Sequence, residues 1–412
     1  MAILSPLTSD RYVPDSGYAW WRLAVATLFS TISGVGMWSF VVALTAVQND
    51  FGVTRAEASL PFTLVMFGFA FGSVIMGRIA DRYGIAVSLA LGTIATGIGY
   101  VLAGSAPTLI VFALAHLLLG LGTSAGFGPL VAEMTHWFLR RRGIAVGICA
   151  SGNYFAGTLW PQIIEHFVAS DGWRPTHVSI GIFCLVTLLP LIALMRGRPA
   201  ASHAAASATH ADPGTLGLSP RALQILLAIA GVGCCVAMSM PQVHLVAYCG
   251  DLGYGVARGA EMLSYMMAFG IISRIGSGFI ADRVGGLRTL LLGSLLQGVA
   301  LLLYTLFNGL TSLYVISALF GLFQGGIVPS YAIIVREYFS PREAGTRLGV
   351  ILMATLFGMA LGGWLSGLIF DLTGSYRTAF VNGIGWNVLN MAIVVWLIAR
   401  SRQSGRPATA AA

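Results

Sequence analysis

Apolar residues run in long blocks along this chain, separated by short polar stretches rich in arginine and glycine. A helix that crosses a bilayer needs about 20 predominantly apolar residues. Measured against that length, the sequence predicts twelve such helices. Six lie near residues 20–47, 58–76, 86–105, 108–134, 142–165 and 177–195. A stretch of different character follows, Arg196 to Arg221, rich in Ala, Ser, His and Pro and without apolar periodicity. It reads as a solvated linker. Six further blocks lie near 222–249, 260–281, 287–306, 311–336, 345–370 and 378–399, and the polar tail from Ser401 reads as disordered. The expected organisation is a bundle over 1–195, a linker over 196–221 and a second bundle over 222–412.

The two halves repeat. Gly77-Arg-Ile-Ala-Asp-Arg-Tyr-Gly84 lies between the second and third blocks, and Gly278-Phe-Ile-Ala-Asp-Arg-Val-Gly285 follows 201 residues later, between the eighth and ninth. Trp137-Phe138 and Tyr338-Phe339 share that offset, and Asp171-Gly-Trp-Arg174 and Gly374-Ser-Tyr-Arg377 precede the sixth and twelfth blocks. Matched landmarks at matched places imply a duplicated six-helix unit, a parallel-repeat architecture.

Composition agrees with a lipid environment. Of 412 residues, 57% are hydrophobic and only 9% charged, against about 25% charged in a soluble domain. That excludes a soluble enzyme or a nucleic-acid-binding protein despite the net charge of +8. All 23 basic residues are arginine. With twelve spans, eighteen fall on the side shared by both termini and the linker, and Arg55, Arg174, Arg258 and Arg377 fall opposite. The positive-inside rule then places both termini in the cytoplasm. Arg274 belongs to neither side. Cys149, Cys184, Cys234, Cys235 and Cys249 are scattered through apolar stretches, so no disulfide framework or metal site is expected. Met1 to Gly17 lacks the features of a signal peptide.

The Gly77–Gly84 and Gly278–Gly285 stretches resemble the cytoplasmic signature loops of the major facilitator superfamily, and the likeness covers essentially the whole chain. It implies an all-α membrane protein, twelve transmembrane helices in two pseudo-symmetric six-helix bundles, and a conformational latch built from Gly77, Asp81, Arg82, Gly278, Asp282 and Arg283. Within the superfamily the chain is similar to the monocarboxylate and oxalate–formate transporter group. Asp15-Ser-Gly-Tyr-Ala-Trp20 resembles its "DGGWGW"-like stretch before the first span, and Trp137-Phe-Leu-Arg140 with Arg142-Gly143 resembles its approach to the fifth. Gly147, Gly152, Gly157 and Pro161 follow its glycine spacing, and the GPxxGG run of drug/proton antiporters does not occur.

Arg274 is the sharpest candidate. It stands eight residues before Asp282, about 12 Å from the helix end at about 1.5 Å per residue. An arginine at that depth marks a substrate path by default, and its planar donor fork suits a carboxylate. A structural ion pair is the alternative. The resemblance implies a substrate arginine on this helix. It also exposes departures, because Gly270 stands where the family carries an aspartate and the family's lysine on the first span has no counterpart. His116 and His244 are candidates for proton coupling, weighed evenly against structural histidines. Asn153, Gln242 and Gln324 are candidate cavity groups, with Tyr154, Phe323 and Tyr331 as aromatic walls; helix packing is the competing role for each. Glu133 is expected to join a loop network with Arg140–Arg142.

These features imply a secondary transporter, not an enzyme, that moves a small organic anion by alternating access. A monocarboxylate with proton symport is the expected cargo and coupling. The expected state is a monomer in a bacterial inner membrane, without cofactor, metal or nucleic-acid partner. Export of drugs or other hydrophobic compounds is the alternative, and a non-transporting membrane sensor a further one. No phosphate-binding GxxxxGK[ST] loop is present to couple ATP.

Overall fold

Every apolar block becomes helix. The computed structural model describes Val13–Met195 and Leu216–Ser404; residues 196–215 of the expected linker and the tail from 405 lie outside the described residues. Within that range the chain forms α1 (Gly17–Ser33), α2 (Val35–Phe51), α3 (Arg55–Ala58), α4 (Leu60–Tyr83), α5 (Ile85–Gly104), α6 (Leu109–Ser124), α7 (Gly128–Trp137), α8 (Arg142–Ala150), α9 (Gly152–Asp171) and α10 (Trp173–Leu194). After the linker come α11 (Pro220–Asp251), α12 (Val256–Val284), α13 (Gly286–Leu306), α14 (Leu310–Gln324), α15 (Ile327–Tyr338), α16 (Pro341–Thr373) and α17 (Tyr376–Ser404). Among the described residues, eleven helical runs are long and apolar enough to cross a membrane. The remaining run, α8 with α9, carries Asn153, Gln162, Glu165 and His166 and is the most polar of the expected twelve. The protein is an all-helical, multi-pass membrane protein.

Caps explain where the helices start. The side chains of Ser16, Thr108 and Ser219 accept from Ala19 N, Val111 N and Ala222 N, satisfying donors that an N-terminal turn leaves open. The signature stretches depart from the expected loop. Their first seven residues complete α4 and α12, and only Gly84 and Gly285, at φ 93° and 83°, turn the chain. Nothing in Gly-Arg-Ile-Ala-Asp-Arg breaks a helix at its end, whereas a positive φ there favours glycine.

Contacts divide the chain into two compact units, Met1–Val53 with Leu60–Ser207, and Thr54–Ser59 with Ala208–Ala412. In the first unit Gly120 of α6 lies against the backbone carbonyl of Val65 on α4; in the second, Gly321 of α14 lies against that of Met266 on α12. The two glycines are 201 residues apart, so the repeat persists as a backbone-to-backbone contact with no room for a side chain. The second unit's core gathers Leu227, Cys234, Leu290, Tyr331, Ile334 and Ile351 from α11, α13, α15 and α16. Ile272, Ile275 and Phe279 form an exposed apolar stripe along α12, a face suited to lipid.

Two arginines that the charge pattern assigns to opposite sides of the membrane are buried. Arg22 on α1 is fully buried; its Nη2 lies 3.1 Å from Glu133 Oε1 and its guanidinium 4.3 Å from the Trp137 ring centroid. Trp137 Nε1 donates to the same carboxylate oxygen at 2.9 Å. Glu133 therefore anchors α7 to α1, a correction to the expected pairing with Arg140–Arg142. Beside it, Asp15 accepts from the backbone N–H groups of Leu139 and Arg140. Burial pushes the Asp15 carboxyl up, but these donors and that of Arg141 outweigh it and hold it below the usual range. Its stabilisation is present above about pH 4 and is lost as pH falls through the lowered folded value. The Tm difference between wild type and Asp15→Asn is expected at pH 7 and should close as the pH of the melt drops below about 4.

Arg55, the second, is 4% exposed. Its Nη1 and Nη2 each lie 3.2 Å from an oxygen of Asp251, and Nη1 donates to Tyr376 Oη at 2.7 Å. Asp371 accepts from the backbone N–H groups of Arg55 and Ala56 at 2.9 and 2.7 Å.

Candidate functional site

Arg274 sits in the middle of α12, and the helix periodicity fixes what its side faces. At about 100° per residue, Gly270, Ser273, Arg274 and Ser277 share one side, opposite the exposed Ile272–Ile275–Phe279 stripe. That side meets the interruption between α14 and α15. A Cβ on Gly325 would meet Gly270 O and lie 2.8 Å from Ser273 Cβ, and one on Gly326 would strike Ser277. The Gly-Gly pair thus lets α12 press onto a broken helix. Gln324, the last residue of α14, is fully buried, and its Oε1 accepts from Gln242 Nε2 at 3.0 Å. The Gln324 Nε2 amide is buried without a hydrogen-bond partner. Gln242 follows Pro241 inside α11. Arg274 itself is half-buried, and its carbonyl accepts from Ser277 Oγ at 3.1 Å.

The second unit therefore places α12, carrying Arg274, against the α14–α15 break next to a coupled glutamine pair. Phe323 adjoins this cluster and is half-buried. Tyr331 is placed elsewhere: it is fully buried in the core cluster with its hydroxyl 3.5 Å from Cys234 Sγ. Sequence reasoning overlooked Ser273, Ser277 and the break. Its signal was Gly325-Gly326 inside an apolar block, matched by the Ser124–Gly128 interruption one repeat earlier; interrupted spans in corresponding places point to transporter binding sites. Gly325→Ala should cost about 1–3 kcal/mol by overpacking against α12, read as a lowered Tm of the purified protein.

The histidines divide. His244 is fully engaged: Tyr376 Oη lies 3.1 Å from Nδ1 and the Gly363 carbonyl 2.7 Å from Nε2. The carbonyl requires Nε2–H, so Nδ1 accepts from the tyrosine hydroxyl in this assigned tautomer. In the first unit, His116 Nδ1 is 2.8 Å from Phe112 O, and its Nε2 is buried without a partner. Phe40, Phe112 and His177 surround the ring, and His177 repeats the pattern with Nδ1 on Trp173 O and Nε2 unpartnered. Asn153 is half-buried, its carbonyl accepts from Trp38 Nε1 at 3.3 Å, and its Oδ1 lacks a partner. Tyr154 is half-buried beside it.

Of the latch residues, Asp81, Arg82, Asp282 and Arg283 are exposed at the ends of α4 and α12. Arg82 lies 5.2 Å from the Tyr83 ring centroid. Gly77 and Gly278 both face open space.

The family model of the Major Facilitator Superfamily matches residues 26–312 and 262–412. The chain belongs to this superfamily. Monocarboxylate transporter 13 of Bos taurus is 27% identical over 371 residues, covering 89% of this chain and 86% of the relative. The agnestins efflux protein AgnL12 of Paecilomyces divaricatus is 26% identical, covering 91% and 86%. Among solved structures, a bacterial homolog of the human lysosomal transporter Spinster aligns with TM-score 0.67 at 19% identity over 95% and 97% of the two chains. A POT family transporter in complex with 5-aminolevulinic acid aligns with TM-score 0.73 at 13% identity over 97% and 100%. At those identities the structures establish the fold alone. The superfamily membership makes this protein a transporter rather than an enzyme.

Proposed function

We propose that the protein is a secondary transporter of small organic anions, with a monocarboxylate as cargo, proton symport as coupling and alternating access as mechanism. The observation that carries this reading is Arg274, set on the packed side of α12 against the α14–α15 break. A guanidinium there offers a carboxylate two parallel charge-assisted hydrogen bonds in a low-dielectric setting. The Gln242–Gln324 pair supports it: Gln242 fixes the amide of Gln324, leaving an N–H donor for a second cargo oxygen. Phe323 supplies an apolar wall. The similarity to monocarboxylate transporter 13 favours the same cargo class. The exposed Asp81–Arg82 and Asp282–Arg283 pairs serve as the conformational latch, with Gly77 and Gly278 leaving space beside them.

The arginine distribution favours cytoplasmic termini, and we assign the protein to a bacterial inner membrane as a monomer. His116, with Nε2 unpartnered, is the coupling residue to test first; His244, with both nitrogens engaged, holds Tyr376. Uptake of labelled lactate, formate and pyruvate into proteoliposomes, with and without an imposed pH gradient, tests cargo and coupling together. His116→Gln is expected to abolish gradient-driven accumulation while preserving exchange. Accumulation at the wild-type level would remove His116 from the mechanism. The similarity to AgnL12 favours a second reading, export of a hydrophobic compound. Absence of carboxylate uptake together with outward movement of an aromatic dye would establish it.

A further inference from the structure

The two units differ at one matched place. In the first, Arg174 at the start of α10 is fully occupied. Its Nε and Nη2 donate to Asp50 Oδ2 at 3.2 and 2.8 Å, and its Nη1 donates to Ala106 O at 2.6 Å. The counterpart of Arg174 in the second unit is Arg377, at the start of α17. Asp251 and Phe307 stand where Asp50 and Ala106 stand, at the 201-residue offset of the repeat. Asp251, however, accepts with both carboxylate oxygens from Arg55. Among the described residues the Arg377 guanidinium is left without a hydrogen-bond or ion-pair partner; only its backbone N–H is engaged, by Ser375 Oγ.

A cavity of about 410 Å³ lies at this unpaired arginine, lined by the ends of α11, α13, α16 and α17, all of the second unit. Its walls are aromatic. Phe370 stacks on Tyr376 with ring centroids 4.4 Å apart, Tyr248 meets Tyr376 edge-on at 5.5 Å, and Phe307 is half exposed at the rim. Two charged side chains line it, and Asp251 is paired while Arg377 is not. Tyr376 Oη is engaged by Arg55 and His244. The Tyr248 hydroxyl and the Asn308 side-chain amide, both able to donate, have no partner among the described residues. An unmatched guanidinium and two donors beside ring walls recognise an anion with a flat apolar body.

We propose that this cavity is a second ligand site, separate from Arg274, and that it binds an aromatic monocarboxylate. Arg377 offers the carboxylate its planar donor fork, and the ring packs against Tyr248, Phe307 and Phe370. The site is built from the second unit alone and stands whatever cargo passes Arg274.

Thr305 lines the cavity and is half-buried, and the five native cysteines are buried. Thr305→Cys therefore places a reactive thiol at the site. In the purified protein, benzoate should slow its labelling by a maleimide, and the protection should saturate. Arg377→Gln should raise the half-protecting concentration about tenfold or more, the effect of losing a hydrogen bond to a charged group. Arg377 is exposed, so this variant leaves the core untouched. Arg274→Gln should leave the protection unchanged. Formate, which lacks the ring, and benzyl alcohol, which lacks the charge, should protect far less. Labelling that ignores benzoate, or protection that survives Arg377→Gln undiminished, overturns the site; this comparison decides alone if Arg274→Gln fails to fold. Protection lost in a folded Arg274→Gln assigns the effect to the central arginine and overturns the site as well. Formate as effective as benzoate overturns the aromatic class of ligand.

Discussion

Arg274→Gln, reconstituted at wild-type levels, is expected to lose about 100-fold or more in kcat/KM for carboxylate uptake. Removing one partner of a desolvated, hydrogen-bonded charge pair costs about 2–5 kcal/mol, and about 2.8 kcal/mol corresponds to about 100-fold. Arg274→Lys should recover only part of the loss. It restores the charge, but an ammonium is a compact donor without the planar fork that matches two carboxylate oxygens. Gln324→Leu should have a smaller effect, concentrated in KM for cargo with a second oxygen. Initial rates across a concentration series, with expression matched on a blot, separate these outcomes. Wild-type uptake in Arg274→Gln would sink the anion assignment, while leaving membership of the superfamily untouched.

The largest stability effect is expected at Arg22, the fully buried arginine of the first unit. Glu133→Ala takes away the carboxylate that faces a fully buried Arg22 and accepts from Trp137. Breaking such a pair by removing one partner costs about 3–5 kcal/mol, whereas replacing both by apolar residues is often close to neutral. Arg22→Leu with Glu133→Leu should therefore melt well above Glu133→Ala, despite carrying one more substitution. Thermal melts of the single and double variants in one detergent check this. If the double variant is as unstable as the sum of the singles, the two residues act independently.

The duplicated helical frame was legible because lipid demands long apolar blocks, and because the 201-residue offset is visible in Gly77–Gly84 and Gly278–Gly285. Arg274 stood out by elimination, being the one arginine left between two charged surfaces. The same sorting by side said nothing of the burial of Arg22 and Arg55. Counting charges by side assumes that an arginine near a helix end is solvated, and a carboxylate with an aromatic ring beside it removes that need. Glu133 is 111 residues from Arg22, and Asp251 is 196 from Arg55, distances at which no local pattern speaks. Tyr331, expected as a cavity wall, lies in the buried core cluster for a related reason. Its spacing is compatible with either helix face, and only packing against Cys234 decides which one is core. The α14–α15 break was written in the sequence as Gly325-Gly326, but among 52 glycines it carried no distinguishing mark until α12 was seen to press on it.

The contact of Arg55 and Ala56 with Asp371 also sets a schedule for synthesis. Arg55 and Ala56 bind an aspartate that leaves the ribosome more than 300 residues after them, with separations of 316 and 315. At about 5–20 residues per second, Asp371 is made roughly 15–60 s after Arg55 and Ala56. Through that interval the first unit must insert with a charged turn that has nowhere to dock. The Thr54–Glu57 capping box favours the docked shape of that turn locally, and its capture by Asp371 waits for the second unit.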